Sequence, residues 1–383
     1  MHIITLLFLN FAILIFNKSS AAARQILSDA FLSDQTIAKL SENLGVHPAE
    51  IWKLKHRFKT GQDLGINESK LSEFIDCPNS ERLVEKLRKV LKGEDVYLTV
   101  IGGSNLGGEN ALEDRQREKQ EIFPLVIKDW WAKAITSLTG SELTLNLVNI
   151  SGTGNDFYQY CSQAYLEDNL DLVLLESPAS NFNQFKNVNQ SIDLEQLTRQ
   201  LLLHPQQPAL IYVNLYHNTN HLLLGCKNLD GDGQKELSHA YNITSVRWPN
   251  FACALTIENV GKPVVRNNGL SEDKHLINLL GHVQVSLMLI DTIRKVLLKI
   301  TTDKGLAFHS RLFAQSLPKP VFITTNKMIT NPLCWTTVSL ANYQNTRIKN
   351  NLNIKVVKNT MFKFQPVIQP CGGSSGLCRH TYS

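Results

Sequence analysis

The chain has 383 residues, enough to bury a large core and to divide into two or three domains. Hydrophobic residues make up 43% and charged residues 19%, a globular composition without internal repeats or low-complexity tracts. The formal net charge of +5 is mild and gives little reason to expect nucleic acid or an anionic membrane as partner.

The amino terminus reads as a targeting segment. Ile3 to Phe16 is an almost unbroken apolar run, followed by Asn17-Lys18-Ser19-Ser20-Ala21-Ala22-Ala23. A hydrophobic stretch that ends in small residues predicts a secretory signal peptide over 1–23. The run is short for a membrane span. An uncleaved signal anchor is the lesser alternative, and the first two residues, Met1 and His2, carry no Lys or Arg. The expected location is the secretory lumen or the outside of the cell. The sequons at Asn67, Asn149, Asn189 and Asn242 fit that location, with Asn149 expected to escape at the end of a buried strand. Seven cysteines, an odd number, leave at least one without an internal partner. Cys371 with Cys378 and Cys226 with Cys253 are the pairs that spacing suggests. No Cys-x-x-Cys occurs, so no zinc site is expected.

Residues 24–94 read as helices. Within them Thr36 to Phe58 places Ile37, Leu40, Leu44, Ile51 and Leu54 at helical spacing around a turn at Gly45. Lys53, Lys55, His56 and Arg57 add charge, as in a helix-turn-helix. A plain helical hairpin is the favoured reading, because a signal peptide removes the segment from DNA.

From Asp95 the pattern alternates. Strand-like apolar runs occur at Val96–Ile101, Leu143–Ile150, Leu172–Leu175 and Ala209–Leu215. Helical segments are expected at Ile122–Ser137, Asp156–Glu167, Leu194–Leu203 and about Asn278–Ile300. Strands alternating with helices predict a parallel sheet covered on both faces. The last helix is interrupted by Gln284, Asp291, Arg294 and Lys295, so it does not read as a membrane span. After about Leu306, short β-like runs at 321–323, 335–338, 354–357 and 362–364 predict a small β-rich tail.

Two features are set aside. Asn228-Leu229-Asp230-Gly231-Asp232-Gly233 opens like a calcium loop, but its twelfth position is His239 where a glutamate is needed. Trp130-Trp131 is expected to be core packing.

The first block of chemical interest is Ile101-Gly102-Gly103-Ser104-Asn105, a glycine turn that closes a buried strand. It delivers a serine to the carboxyl edge of a sheet, where open α/β folds place ligands. The second is Asn149-Ile150-Ser151-Gly152-Thr153-Gly154-Asn155-Asp156, with Asn155 or Asp156 as helix N-cap. The third is Glu176-Ser177-Pro178-Ala179-Ser180-Asn181. The fourth is Glu272-Asp273-Lys274-His275-Leu276-Ile277-Asn278-Leu279-Leu280-Gly281-His282.

In these four blocks residues 95–303 resemble the SGNH (GDSL-like) hydrolases, as a divergent secreted member. The resemblance implies a three-layer, flavodoxin-like parallel sheet over 95–303; the helical segment over 24–94, which has no match in the family, and the β-rich domain over 304–383 flank it. It implies ester hydrolysis with Ser104 as nucleophile and His275 as general base, oriented by Asp273 or Glu272. Gly152 and Asn181 would be the oxyanion donors. The family's Asn-Asp falls on Ser180 and Asn181. Aligning Asn278, Gly281 and His282 with the family puts Asp273 on its acid and Leu276 on its histidine, with His275 one residue earlier. His282 is expected to be a packing residue. No metal or cofactor is implied, and the substrate would be a small-molecule, glycan or lipid ester. The alternatives are a scaffold that binds without turnover and, from another class, a nucleic-acid module built on 36–58.

Overall fold

The computed structural model describes residues 32–46, 71–103, 105–106, 122–150, 153–176, 190–215, 233–258, 277–302, 316–323, 329, 334, 367–368 and 380–381. Among them, β1 (Ile75–Asp76), β2 (Val96–Gly102), β3 (Leu143–Asn149), β4 (Leu172–Glu176), β5 (Ala209–Asn214) and β6 (Thr244–Arg247) form one sheet in the order β1-β6-β5-β4-β2-β3. β2 to β6 pair in parallel, and β1 lies antiparallel on β6. Without β1, the five parallel strands taken in chain order run 2-1-3-4-5. That is the flavodoxin-like doubly wound order.

Strand burial explains why these runs are so apolar. Leu98, Val100, Leu172, Leu174, Ile211 and Val213 face one core, while Ile101, Val173, Leu175, Leu210 and Tyr212 face the other. Successive residues alternate between two covered faces, so the central strands β2 and β4 are apolar apart from Thr99 and the closing Glu176. The first face carries α1 (Asp34–Gly45), α2 (Glu81–Leu87), α3 (Phe123–Trp131) and α8 (Leu279–Thr302). The second carries α4 (Asn155–Tyr165), α5 (Gln190–Leu202) and α6 (Gln234–Tyr241). A further helix, α7 (Trp248–Glu258), sends Trp248 and Phe251 into the first core. The expected three-layer α/β fold is therefore present.

Several expected elements shift by a residue or two. The helix expected at Ile122–Ser137 is α3, continued by a π-helical turn, Ala132–Thr136, and a last short turn that ends at Thr139. Trp130 and Trp131 are buried as expected, and the Trp131 indole N–H donates to the Ser141 carbonyl at 3.0 Å.

The described residues of 24–94 are not helical alone, since β1 joins the sheet edge and the Asp76 carboxylate meets Arg247 at 2.9 Å. Leu40 and Leu44 of α1 are fully buried in the first core. Arg294 of α8 donates to the Leu44 carbonyl at 3.1 Å, closing the end of α1. The helix that would open a DNA-reading pair thus packs one apolar edge, Leu40 and Leu44, against the fold. Residues 47–70 lie outside the described residues.

The tail also differs from expectation. Val321-Phe322-Ile323 is not a strand: its three backbone N–H groups donate to the Glu195 carboxylate at 2.6, 2.7 and 2.9 Å. An apolar triplet reads as β from sequence, but a buried carboxylate on α5 satisfies its backbone instead. Cys334 forms a disulfide with Cys161 of α4, a pairing that spacing did not suggest. Cys253 is also disulfide-bonded and Cys77 is a free thiol, whereas Cys226, Cys371 and Cys378 lie outside the described residues. β7 (Val367–Ile368) and β8 (His380–Thr381) pair antiparallel. The other runs expected in the tail, 335–338, 354–357 and 362–364, lie outside the described residues.

Candidate active site

The strand order reverses at β2, which has β3 on one side and β4 on the other. Connections leave β2 and β4 in opposite directions there, opening a crevice at their carboxyl ends. The Gly102-Gly103 turn stands at that point. A Cβ on Gly102 would overlap the Glu176 carboxyl and come within 2.8 Å of Leu106 Cδ1, so only glycine fits. The Gly102 carbonyl accepts from the Tyr158 hydroxyl at 2.7 Å and from the Ile150 N–H at 3.3 Å. The Leu106 N–H donates to the Gly103 carbonyl at 3.0 Å and closes the turn.

Glu176 underlies this turn. It is the last residue of β4 and continues the face of Leu172 and Leu174. Its carboxylate accepts from the Gly103 N–H at 2.9 Å and from the Asn105 side-chain amide at 3.3 Å. Burial pushes its pKa up to about 7, with the two donors pulling in the opposite direction. Both protonation states are therefore accessible near neutral pH. Burial likewise pushes the Tyr158 phenol up and keeps it a neutral donor.

The oxygen of the same Asn105 amide accepts the Ile277 N–H at 3.0 Å. Ile277 stands two residues after His275. Asn278 then opens α8, its side chain accepting the Gly281 N–H at 3.1 Å as an N-cap. The fourth block is thus brought to the first, with Asn105 as the connection. Ser104, Gly152, Asn181, Glu272, Asp273 and His275 themselves lie outside the described residues, as does Ser180. What the structure brings together is the residues beside them: Gly103 and Asn105 beside Ser104, Glu176 at the start of the third block, and Ile277 after His275.

In the second block the N-cap of α4 is Gly154, not Asn155 or Asp156, which are the first helical residues. Gly154 is extended there, and Asp156 sits in the first turn, where a carboxylate favours the helix dipole. The Thr153 hydroxyl donates to the Ile150 carbonyl at 2.7 Å, fixing the chain that leaves β3.

His282 is fully buried, and its ring stacks on Phe123 with centroids 6.0 Å apart. Its Nδ1 accepts the Phe123 N–H at 3.4 Å, and burial lowers its pKa to about 3. A neutral imidazole inside the core is a packing residue, as expected from sequence.

Glu176, Asn105 and Tyr158 were given no side-chain role from sequence. One signal was available for Glu176: it is a lone acid closing an otherwise apolar strand. The calcium-like loop lies outside the described residues up to Gly233, and His239 lies in α6. Among the described residues, no group of three or more His, Cys, Asp and Glu is arranged to hold a metal, and no helix is long and apolar enough to cross a membrane.

No protein-family model and no curated protein matches the chain. Among solved structures, it is similar to a two-domain esterase active on acetylated mannans, with 18% identity and a TM-score of 0.48, covering 66% of this chain and 61% of that one. A structure of such an esterase with mannopentaose gives 18% identity and a TM-score of 0.45, covering 59% and 56%. A lipase/acylhydrolase from Enterococcus faecalis gives 13% identity and a TM-score of 0.39, covering 52% of this chain and 96% of that one. The chain thus spans less than two thirds of the two-domain esterase's length.

Proposed function

We propose that the chain is a secreted serine hydrolase of the SGNH type that cleaves an ester through a covalent acyl-enzyme. Ser104 attacks the ester carbonyl as His275 takes its proton, with Asp273 or Glu272 holding the imidazole. The Gly152 N–H and the Asn181 side chain stabilise the oxyanion, and the alcohol leaves with a proton from His275. Water, deprotonated by the same imidazole, then releases the acid.

The observation that carries this reading is the hydrogen bond between Asn105 and Ile277 at 3.0 Å. It joins the turn that bears Ser104 to the chain that bears His275, at the switch point of a doubly wound sheet. The Cys161–Cys334 disulfide supports an oxidising compartment. An acetylated glycan or a lipid ester suits the proposed chemistry equally.

A fluorophosphonate probe tests the reading. Wild-type protein should be labelled, and Ser104→Ala should lose the label. Well-folded wild type that takes no label would favour the second reading, a scaffold that binds without turnover. That reading draws on the register of the third and fourth blocks, where Ser180 and Leu276 stand in the family's asparagine and histidine places.

A further inference from the structure

We infer that Glu176 and Asn105 are positioning residues that lock the turn bearing the nucleophile against the chain bearing the base. This inference rests on the esterase reading and deepens it. The network runs in one direction. Glu176 Oε2 accepts from the Gly103 N–H and Oε1 accepts from Asn105 Nδ2, so its carboxylate holds both sides of position 104. With its nitrogen committed to Glu176, the Asn105 amide has one possible orientation. Its oxygen therefore faces the Ile277 N–H. Glu176 and Asn105 are each only 2% exposed, so water does not substitute for a lost partner.

The polarity of this network predicts a specific pattern of damage and repair. Glu176→Gln places an amide nitrogen against the Asn105 nitrogen, donor against donor. Turning the Asn105 amide to meet it would point that nitrogen at the Ile277 N–H. Asn105→Asp sets a carboxylate against Glu176, and the two repel at a pH above the Glu176 titration, where both are ionised and the assay is run. The double variant Glu176→Gln with Asn105→Asp restores every bond, with the polarity of the 176–105 bond alone reversed. The amide at 176 then donates to the carboxylate at 105, which still accepts from Ile277. All three variants conserve volume, so a role limited to packing would leave them alike.

The experiment measures fluorophosphonate labelling rate and hydrolysis of p-nitrophenyl acetate on the full chain, together with amide hydrogen exchange at Ile277. Each single variant should fall in kcat by about tenfold to a hundredfold with little change in KM, the size expected from displacing a reacting group by about an ångström. The double variant should recover to within a few-fold of wild type. Exchange at Ile277 should be fast in the singles and slow again in the double. A double variant as slow as the worse single, or singles that match wild type, would overturn the inference. The exchange pattern reads the lock without any chemistry. If it appears while wild type takes no label, the lock stands and the esterase reading alone fails.

Discussion

The Asn105 side chain accepts the Ile277 N–H at 3.0 Å across a sequence separation of 172 residues. It is a buried, directional contact between the β2 turn and the entry to α8. Asn105→Ala would leave the Ile277 N–H and one Glu176 oxygen without this partner. Each stranded buried group costs about 1–3 kcal/mol. With two such groups, urea unfolding of the variant should show a loss of about 2–6 kcal/mol. A change under about 0.5 kcal/mol, typical of a surface substitution, would show that the contact does not hold the two segments together.

Glu176 and His282 give stability two opposing pH slopes. The Glu176 pKa is raised from 4.5 to about 7 on folding. Its stabilising contribution is fully present below 4.5 and is lost as pH rises through 7. The His282 pKa is lowered from 6.5 to about 3. Its contribution is present above 6.5 and is lost as pH falls toward 3. Each is worth up to about 3–5 kcal/mol. Between pH 4.5 and 6.5 the two slopes oppose one another, so wild-type stability should be nearly flat. Glu176→Gln should unmask a rise in stability with pH over this window, and His282→Gln a fall. Denaturant midpoints across the window measure both slopes, and parallel profiles in the two variants would contradict this assignment.

The parallel strands were legible because a strand covered on both faces must be apolar throughout, as in Leu172-Val173-Leu174-Leu175. β6 was not, because Thr244, Ser245 and Arg247 surround a single apolar Val246. Its neighbour β1 has only two residues. The four blocks were legible as motifs, but the network beneath them was not. Glu176 owes its importance to a strand order that puts β4 beside β2, and no local spacing carries that information. The same holds for Cys161 with Cys334, joined across a separation of 173 residues.

Gly102 is required by space rather than by backbone conformation. Gly102→Ala would drive a methyl group into the Glu176 carboxyl and to 2.8 Å from Leu106 Cδ1. Overpacking of this kind costs about 1–3 kcal/mol. The strain falls on the carboxylate that orients the turn, so labelling at Ser104 should drop along with stability. Pairing Gly102→Ala with Leu106→Ala relieves only one of the two contacts. Labelling should therefore stay low in the pair while part of the stability returns. Full return of labelling would place the important contact at Leu106 instead.

Residues 316–323, 329 and 334 are held to α4 and α5 by four separate devices, one of them the Arg199 guanidinium, which donates to the Pro318 carbonyl at 2.7 Å. Glu195 accepts three consecutive N–H groups, Gln196 exchanges two hydrogen bonds with the Ile329 backbone at 2.7 and 3.1 Å, and Cys334 is bonded to Cys161. Leu317 and Phe322 pack on the second core beside them. Reduction of the disulfide removes a constraint on a long loop of the unfolded chain, worth about 2–5 kcal/mol. The Glu195 contacts remain, so the segment should stay docked in the reduced protein. Glu195→Ala removes the acceptor of all three N–H groups and should release the segment only when the disulfide is also reduced. Limited proteolysis within 316–323 distinguishes the cases. Cleavage should be slow in the oxidised variant and in the reduced wild type, and fast in the reduced variant. Rapid cleavage of reduced wild type would mean that the disulfide alone holds the segment.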